Sequence, residues 1–248
     1  MIKEPSFIKV NNGRTIAYYK SEGRKSTVIF CGGYMSDMNG TKATFLEKVC
    51  KQLELSYIRF DYSGHGRSSE EFVKGTITSW RDDALAIIDQ LSQGPLIIVG
   101  SSMGGWIGIL VALARKERVQ AFIGIAAAPD FTRELMWNKY SEKIKNTLKR
   151  EGVYLQFSEY NNEPYEVSYG LIQDGDNHIL LNGPIELDCP VRLFHGLKDI
   201  DVPSNTSKRI ADKLLGDDVI VSYNKLGNHS LSSPSDLERL KLALVELS

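Results

Sequence analysis

The chain has 248 residues, 42% of them hydrophobic and 25% charged, with 30 basic against 31 acidic side chains. That is the composition of a soluble globular protein, long enough for one sizeable α/β domain. A net charge of −1 speaks against a nucleic-acid binder or a protein drawn to anionic membranes.

The three cysteines, Cys31, Cys50 and Cys189, are odd in number and widely spaced. They form no disulfide framework or zinc pattern and suit a reducing compartment. The opening Met1-Ile2-Lys3-Glu4-Pro5-Ser6 lacks the apolar core of a secretory leader. Ile107 to Ala114 is the longest apolar run, far short of the roughly 20 residues of a membrane span. A cytoplasmic location is the expectation.

Phe7 to Val10 and Thr15 to Lys20, joined by Asn11-Asn12-Gly13, predict an antiparallel hairpin with an Asn-Gly turn. Strands and helices then alternate. Ser26 to Cys31 reads as a strand, Thr41 to Leu53 as a helix, Ser56 to Phe60 as a strand and Ser79 to Leu91 as a helix. Pro95 to Val99 is a strand, Trp106 to Arg115 a buried helix and Ala121 to Ala126 a strand. Val191 to His195, Ser204 to Leu215, Val219 to Tyr223 and Ser235 to Leu247 complete the alternation as strand, helix, strand and helix. Such a series predicts a mostly parallel sheet with helices on both faces.

Residues 129 to 187 interrupt the pattern with a polar helix around Ser141 to Arg150 and an aromatic stretch, Tyr154, Phe157, Tyr160, Tyr165 and Tyr169. One expectation is a surface excursion with a satellite core. The other is a lid, spanning about 130–187, over the carboxyl ends of the strands, where open α/β sheets bind ligands. The two are compatible, and the chain is expected to be a single domain over 1–248.

Gly100-Ser101-Ser102-Met103-Gly104 lies between a strand and a helix. Chance gives Gly-x-Ser-x-Gly in roughly one chain in six of this composition, so the pattern alone decides little. In its setting it reads as a nucleophile elbow with Ser102 at the apex. A serine nucleophile needs a base, an orienter for that base and donors for the oxyanion.

Of the four histidines, His65 sits in a glycine-rich turn and reads as structural, His178 as solvated and His195 as packed at a strand end. His229, in the polar loop Gly227-Asn228-His229-Ser230 between the last strand and the last helix, is the expected base. Asp199, in the loop that leaves the strand ending at His195, is the expected acid, with Asp201 as the alternative. Gly32-Gly33-Tyr34-Met35 follows a strand, and its glycines let backbone approach a substrate; the amides of Tyr34 and Met103 are the expected oxyanion donors.

Nearly the whole chain resembles one branch of the α/β-hydrolase superfamily, the mitochondrial palmitoyl-protein thioesterases and acyl-glucuronide esterases with their bacterial relatives. The resemblance rests on Gly33-Tyr34 with Met38-Asn39-Gly40-Thr41-Lys42-Ala43, on Ile58-Arg59-Phe60-Asp61-Tyr62-Ser63-Gly64, on Gly100-Ser101-Ser102-Met103-Gly104-Gly105-Trp106, and on His195-Gly196-Leu197-Lys198-Asp199 with Val202-Pro203. It implies the α/β-hydrolase fold, with the family's nucleophile, acid and base on Ser102, Asp199 and His229. It also implies hydrolysis of acyl thioesters, acyl glucuronides and related esters, with small acyl compounds or acylated proteins as partners. Gly33 and Trp106 are expected at the substrate. Unlike the mitochondrial family members, the chain is expected to have no transit peptide, and it has Cys31-Gly32 where a proline precedes the Gly-Tyr pair. No metal or organic cofactor is expected, since one histidine can do all the acid–base work. A general carboxylesterase or small peptidase on the same three residues is the alternative within enzymes. A non-catalytic binding module would carry a broken triad.

Overall fold

The computed structural model describes residues 4–10, 13–158 and 161–248. The N-terminal strands β1 (Ser6–Lys9) and β2 (Thr15–Ser21) pair antiparallel, as expected, while Asn11 and Asn12 of the expected turn lie outside the described residues. Then follow β3 (Thr27–Cys31), α1 (Thr41–Gln52), β4 (Ser56–Phe60), α2 (Ile77–Leu91), β5 (Leu96–Ser101), α3 (Met103–Ala114) and β6 (Val119–Ile125). The chain closes with β9 (Val191–Gly196), α6 (Asn205–Lys213), β10 (Val219–Asn224) and α7 (Pro234–Glu246).

Eight strands form one sheet in the order β1-β2-β4-β3-β5-β6-β9-β10. The β1–β2 and β2–β4 pairs are antiparallel and every other neighbour is parallel. The central strands carry apolar residues throughout because both faces are covered. Along β5, Leu96 and Ile98 enter the core that includes Trp80 of α2 and Trp106 of α3. Ile97 and Val99 enter the opposite core, with Leu46 of α1 and Leu244 of α7. Because β3, β5, β9 and β10 run in one direction, the loops that follow them all leave from the carboxyl end of the sheet, where their side chains can converge.

Helix starts differ from expectation where capping decides them. Helix α2 starts at Ile77, two residues early, because Thr76 caps it and exchanges bonds with Ser79 in a capping box. Helix α3 starts at Met103 with Ser102 as its N-cap residue, so Gly104 and Gly105 are helical. Glycine's poor helix propensity hides that first turn in the sequence.

Residues between β6 and β9 build a π-helical turn at Thr132–Met136, α4 (Glu142–Glu151), the hairpin β7 (Val153–Ser158) with β8 (Asn161–Ser168), and the short α5 (Tyr169–Gly175). The polar helix falls where expected. Of the aromatic stretch, Tyr154 and Phe157 lie in β7, Tyr165 in β8 and Tyr169 at the start of α5, with Tyr160 outside the described residues. Among the described residues the expected satellite core is not seen: Phe131, Met136, Val167, Leu171 and Ile172 join the main core beside α2 and α3. Among the described residues, no helix is long and apolar enough to cross a membrane.

Candidate active site

The turn from β5 into α3 is possible only with glycines at two places. A β-carbon on Gly100 would lie 2.3 Å from the Gly104 carbonyl oxygen, and one on Gly104 would lie 2.0 Å from the Cys31 carbonyl oxygen. Between them Ser102 takes φ 56° and ψ −122°, a strained conformation for a residue with a side chain. Three backbone bonds hold it there: the Ser102 amide donates to Ile125 at 2.9 Å, and its carbonyl accepts from Gly105 at 2.8 Å and Ala128 at 3.0 Å. The apex therefore cannot relax, and its hydroxyl projects from the carboxyl end of the sheet.

Two loops from the same end reach that hydroxyl. His229, in the turn between β10 and α7, places Nε2 2.9 Å from Ser102 Oγ. Its Nδ1 lies 2.8 Å from Asp199 Oδ2. A carboxylate only accepts, so Nδ1 carries the hydrogen and Nε2 is free to accept from the serine hydroxyl. Asp199 follows β9, as expected. Asp201, the alternative acid, lines the same cavity but is not the carboxylate bonded to His229 Nδ1.

Asp199 is fully covered, and every bond it accepts has a fixed donor. Oδ1 takes the amides of Asp201 and Val202, each at 2.9 Å, and Oδ2 takes His229 together with His195 Nε2 at 3.2 Å. Burial alone would raise the carboxyl, but the bonds from His195, His229 and Val202 outweigh it and hold the group well below the usual carboxylate range. His195 is packed, as expected, and it also serves the site. Its Nε2 faces two acceptors, the Val202 carbonyl at 3.1 Å and Asp199, so it bears the hydrogen and leaves Nδ1 for the Ser207 hydroxyl at 2.7 Å. The four-residue spacing from His195 to Asp199 was the one available signal of this contact.

Gly33 sits against Ser102: a β-carbon there would lie 3.4 Å from Ser102 Cβ. The amides of Tyr34 and Met103 take no part in the turn, loop and cap bonds of the described residues. The Met103 amide belongs to the first turn of α3, where N–H groups lack helical partners. The Tyr34 loop is held from behind by His65, whose Nε2 accepts from the Met35 amide at 3.2 Å, and by Asp61, whose Oδ1 accepts from the Met38 amide at 2.6 Å.

A cavity of about 270 Å³ opens at Ser102 and His229. Its walls include Phe131, with Leu135 and Met136 of the π-helical turn that follows it, and Gln156 and Tyr165 from the hairpin. None of these five was singled out as a site residue from the sequence. Two expectations need correction. Trp106 is fully buried and does not line this cavity: its indole N–H donates to the His178 carbonyl at 3.0 Å and its ring packs on Phe131, so it supports the cavity wall from behind. His178 is not solvated, because its Nε2 lies 2.7 Å from the Thr78 hydroxyl, which donates to Asp174. A second cleft of about 380 Å³, between β9, β10 and α7, contains neither Ser102 nor His229.

Among the described residues, Asp199, Asp201 and His229 form one group whose ligand atoms lie within 4.8 Å of one another. A cation there would have to displace the bond between His229 and Asp199. The donor set is better accounted for as an acid and base already paired.

A family model described as Hydrolase_4, serine aminopeptidase, S33, matches residues 22–169. The chain is also 41% identical, over 98% of its length and 79% of the relative's, to the Homo sapiens protein named palmitoyl-protein thioesterase ABHD10, mitochondrial. This chain belongs to the α/β-hydrolase family. Among solved structures, a putative hydrolase from Agrobacterium vitis S4 superposes with a TM-score of 0.94 at 35% identity, covering 98% of both chains. The α/β-hydrolase domain-containing protein 10 from mouse gives 0.91 at 37% identity, over 99% of this chain and 98% of its own. Est1E from Butyrivibrio proteoclasticus, at 17% identity and a TM-score of 0.80 over 98% of each chain, shares the α/β-hydrolase fold.

Proposed function

We propose that this serine hydrolase cleaves acyl thioesters and carboxylic esters by two-step acyl transfer. The observation that carries the reading is the unbroken line of contacts from Ser102 through His229 to Asp199, at 2.9 and 2.8 Å. His229 takes the proton from Ser102 Oγ as that oxygen attacks the acyl carbonyl. The carbonyl oxygen becomes an oxyanion bonded by the Tyr34 and Met103 amides, and Asp199 stabilises the imidazolium. His229 then gives its proton to the departing thiol or alcohol. Water, deprotonated by the same imidazole, attacks the acyl-serine; the bond to Ser102 Oγ breaks, His229 returns the proton to Oγ, and the acid is released. His229 relays both protons, the first from Ser102 and the second from water.

Substrate class rests on two supports. The relatives over 98% of the chain are named palmitoyl-protein thioesterases, and Phe131, Leu135, Met136 and Val202 give the mixed cavity wall an apolar section, beside the polar Gln156, Asp201 and His229. Residues 130 to 187 act in this reading as a cap that shapes the acyl site within a single domain. A fluorophosphonate probe tests the nucleophile: labelling of the parent and none of Ser102→Ala is the expected result, and persistent labelling of the variant refutes it. A general carboxylesterase or peptidase would use the same three residues. Turnover of matched thioester, oxyester and amide substrates separates these, with the thioester expected to lead.

A further inference from the structure

Lys42 lies in the Met38-Asn39-Gly40-Thr41-Lys42-Ala43 run, and no step of the mechanism above uses it. It occupies the second position of α1, where a cation faces the positive end of the helix dipole. Its surroundings are unfavourable too: burial lowers the ammonium to about 8, with Asp236 on α7 acting the other way. A lysine kept in such a place is explained by what its Nζ holds. That atom donates to the Ser230 carbonyl at 2.5 Å and lies 3.4 Å from Ser232 Oγ. Ser230 immediately follows His229.

The loop carrying His229 has two other fixed points. On its leading side the Gly227 carbonyl accepts from the Lys198 amide at 2.9 Å. On its trailing side Leu231 is buried in the core and takes φ +44°. The peptide between His229 and Leu231 is held by Lys42 from a different element and by Ser232 Oγ, a neighbour in the same loop, at 3.0 Å. Helix α1 also continues the loop that carries Tyr34, so one side chain links the two loops that face each other across Ser102.

We infer that Lys42 is a positioning residue, which sets the direction of the His229 imidazole toward Ser102 by pinning the Ser230 carbonyl. The inference rests on the reading of His229 as the base. A small rotation of that peptide moves Nε2 out of reach of Oγ, and misplacements of about 1 Å cost on the order of a hundredfold in rate.

The test compares the parent with Lys42→Met and Lys42→Arg in the full chain, using a p-nitrophenyl octanoate assay. Melting temperature and the low-field proton signal of the His229–Asp199 bond are followed in parallel. Lys42→Met is expected to lose about ten- to a hundredfold in kcat with little change in KM. It should also shift or broaden the low-field signal while the melting temperature stays near the parent's. Lys42→Arg, which keeps a charged donor, is expected to recover most of kcat. Should Lys42→Met not fold, Lys42→Gln replaces it with the same expectations. Parent-like kcat in Lys42→Met overturns the inference, as does Lys42→Arg being no better than Lys42→Met. Ser102→Ala keeps the two readings apart: if it retains activity the triad itself is wrong, and if only Lys42→Met is parent-like the tether alone is wrong.

Discussion

The Nε2 atom of His65 accepts the amide hydrogen of Met35 at 3.2 Å, joining a buried imidazole to the loop that carries Tyr34. Burial lowers His65 from 6.5 to about 4, against an opposing bond to the Ser63 carbonyl. Because its folded value lies below its unfolded one, the unfolded chain takes up the proton first as pH falls. Stability is therefore full above about 6.5 and declines toward pH 4, by on the order of 3 kcal/mol at about 1.4 kcal/mol per unit. Urea unfolding between pH 4 and 7 checks this. The parent should lose more stability across that window than His65→Gln, which has no such proton to bind; parallel curves would refute it.

Asp199 and Asp201 are two residues apart and separable by mutation. Asp199→Asn leaves an amide facing the donors His195 and His229, which disrupts the bond that fixes the His229 tautomer. A loss of about 10⁴ in kcat is expected by analogy with other triads. Asp201→Asn should retain most of its activity. Steady-state kinetics on one ester decide the matter, and the opposite ranking would move the acid to Asp201.

Trp106→Phe tests the corrected role of the indole. The variant keeps the ring against Phe131 and loses the hydrogen bond to the His178 carbonyl, which costs about 0.5–1.5 kcal/mol. Denaturant midpoints should fall accordingly while KM for short acyl esters stays unchanged. A raised KM at full stability would return Trp106 to the substrate.

Gly104→Ala is expected to be among the most damaging single-methyl changes in the chain. The added carbon meets the Cys31 carbonyl, a backbone atom of a central strand that has little room to retreat. A loss of at least about 1–3 kcal/mol follows from overpacking. Fluorophosphonate labelling should fall with it, because the elbow and the loop behind Gly33 move together. A stable, fully labelled variant would show that the two segments can separate.

Leu135→Trp fills part of the cavity without touching Ser102, His229 or Asp199. Activity should shift toward shorter acyl chains, with acetyl esters spared and octanoyl esters impaired. An unchanged chain-length profile would place the acyl group elsewhere.

The sheet was legible because its strands are apolar runs with turn residues between them, and the order of Ser102, Asp199 and His229 followed from which loops leave the carboxyl ends. The hairpin β7–β8 was not, since its pattern is inverted: apolar Leu155 and Phe157 face solvent, while Gln156 and its partner Tyr165 face the cavity. The support for Asp199 from His195 was hidden for another reason. A buried histidine has the same sequence signature whether it merely packs or also grips a carboxylate. Trp106 misled because a tryptophan beside an elbow reads as a substrate contact, and only the fold shows its ring turned toward Phe131.

Strands β6 and β9 lie side by side in parallel register, Phe122 against Val191, although residues 126 to 190 separate them in the chain. Ser102, Asp199 and His229 sit on loops outside that stretch, but Ala128 at its beginning bonds the Ser102 carbonyl. Changes at Leu135, Gln156 and Tyr165 can thus retune what the enzyme recognises, provided that the start of the stretch keeps its grip on the turn at Ser102.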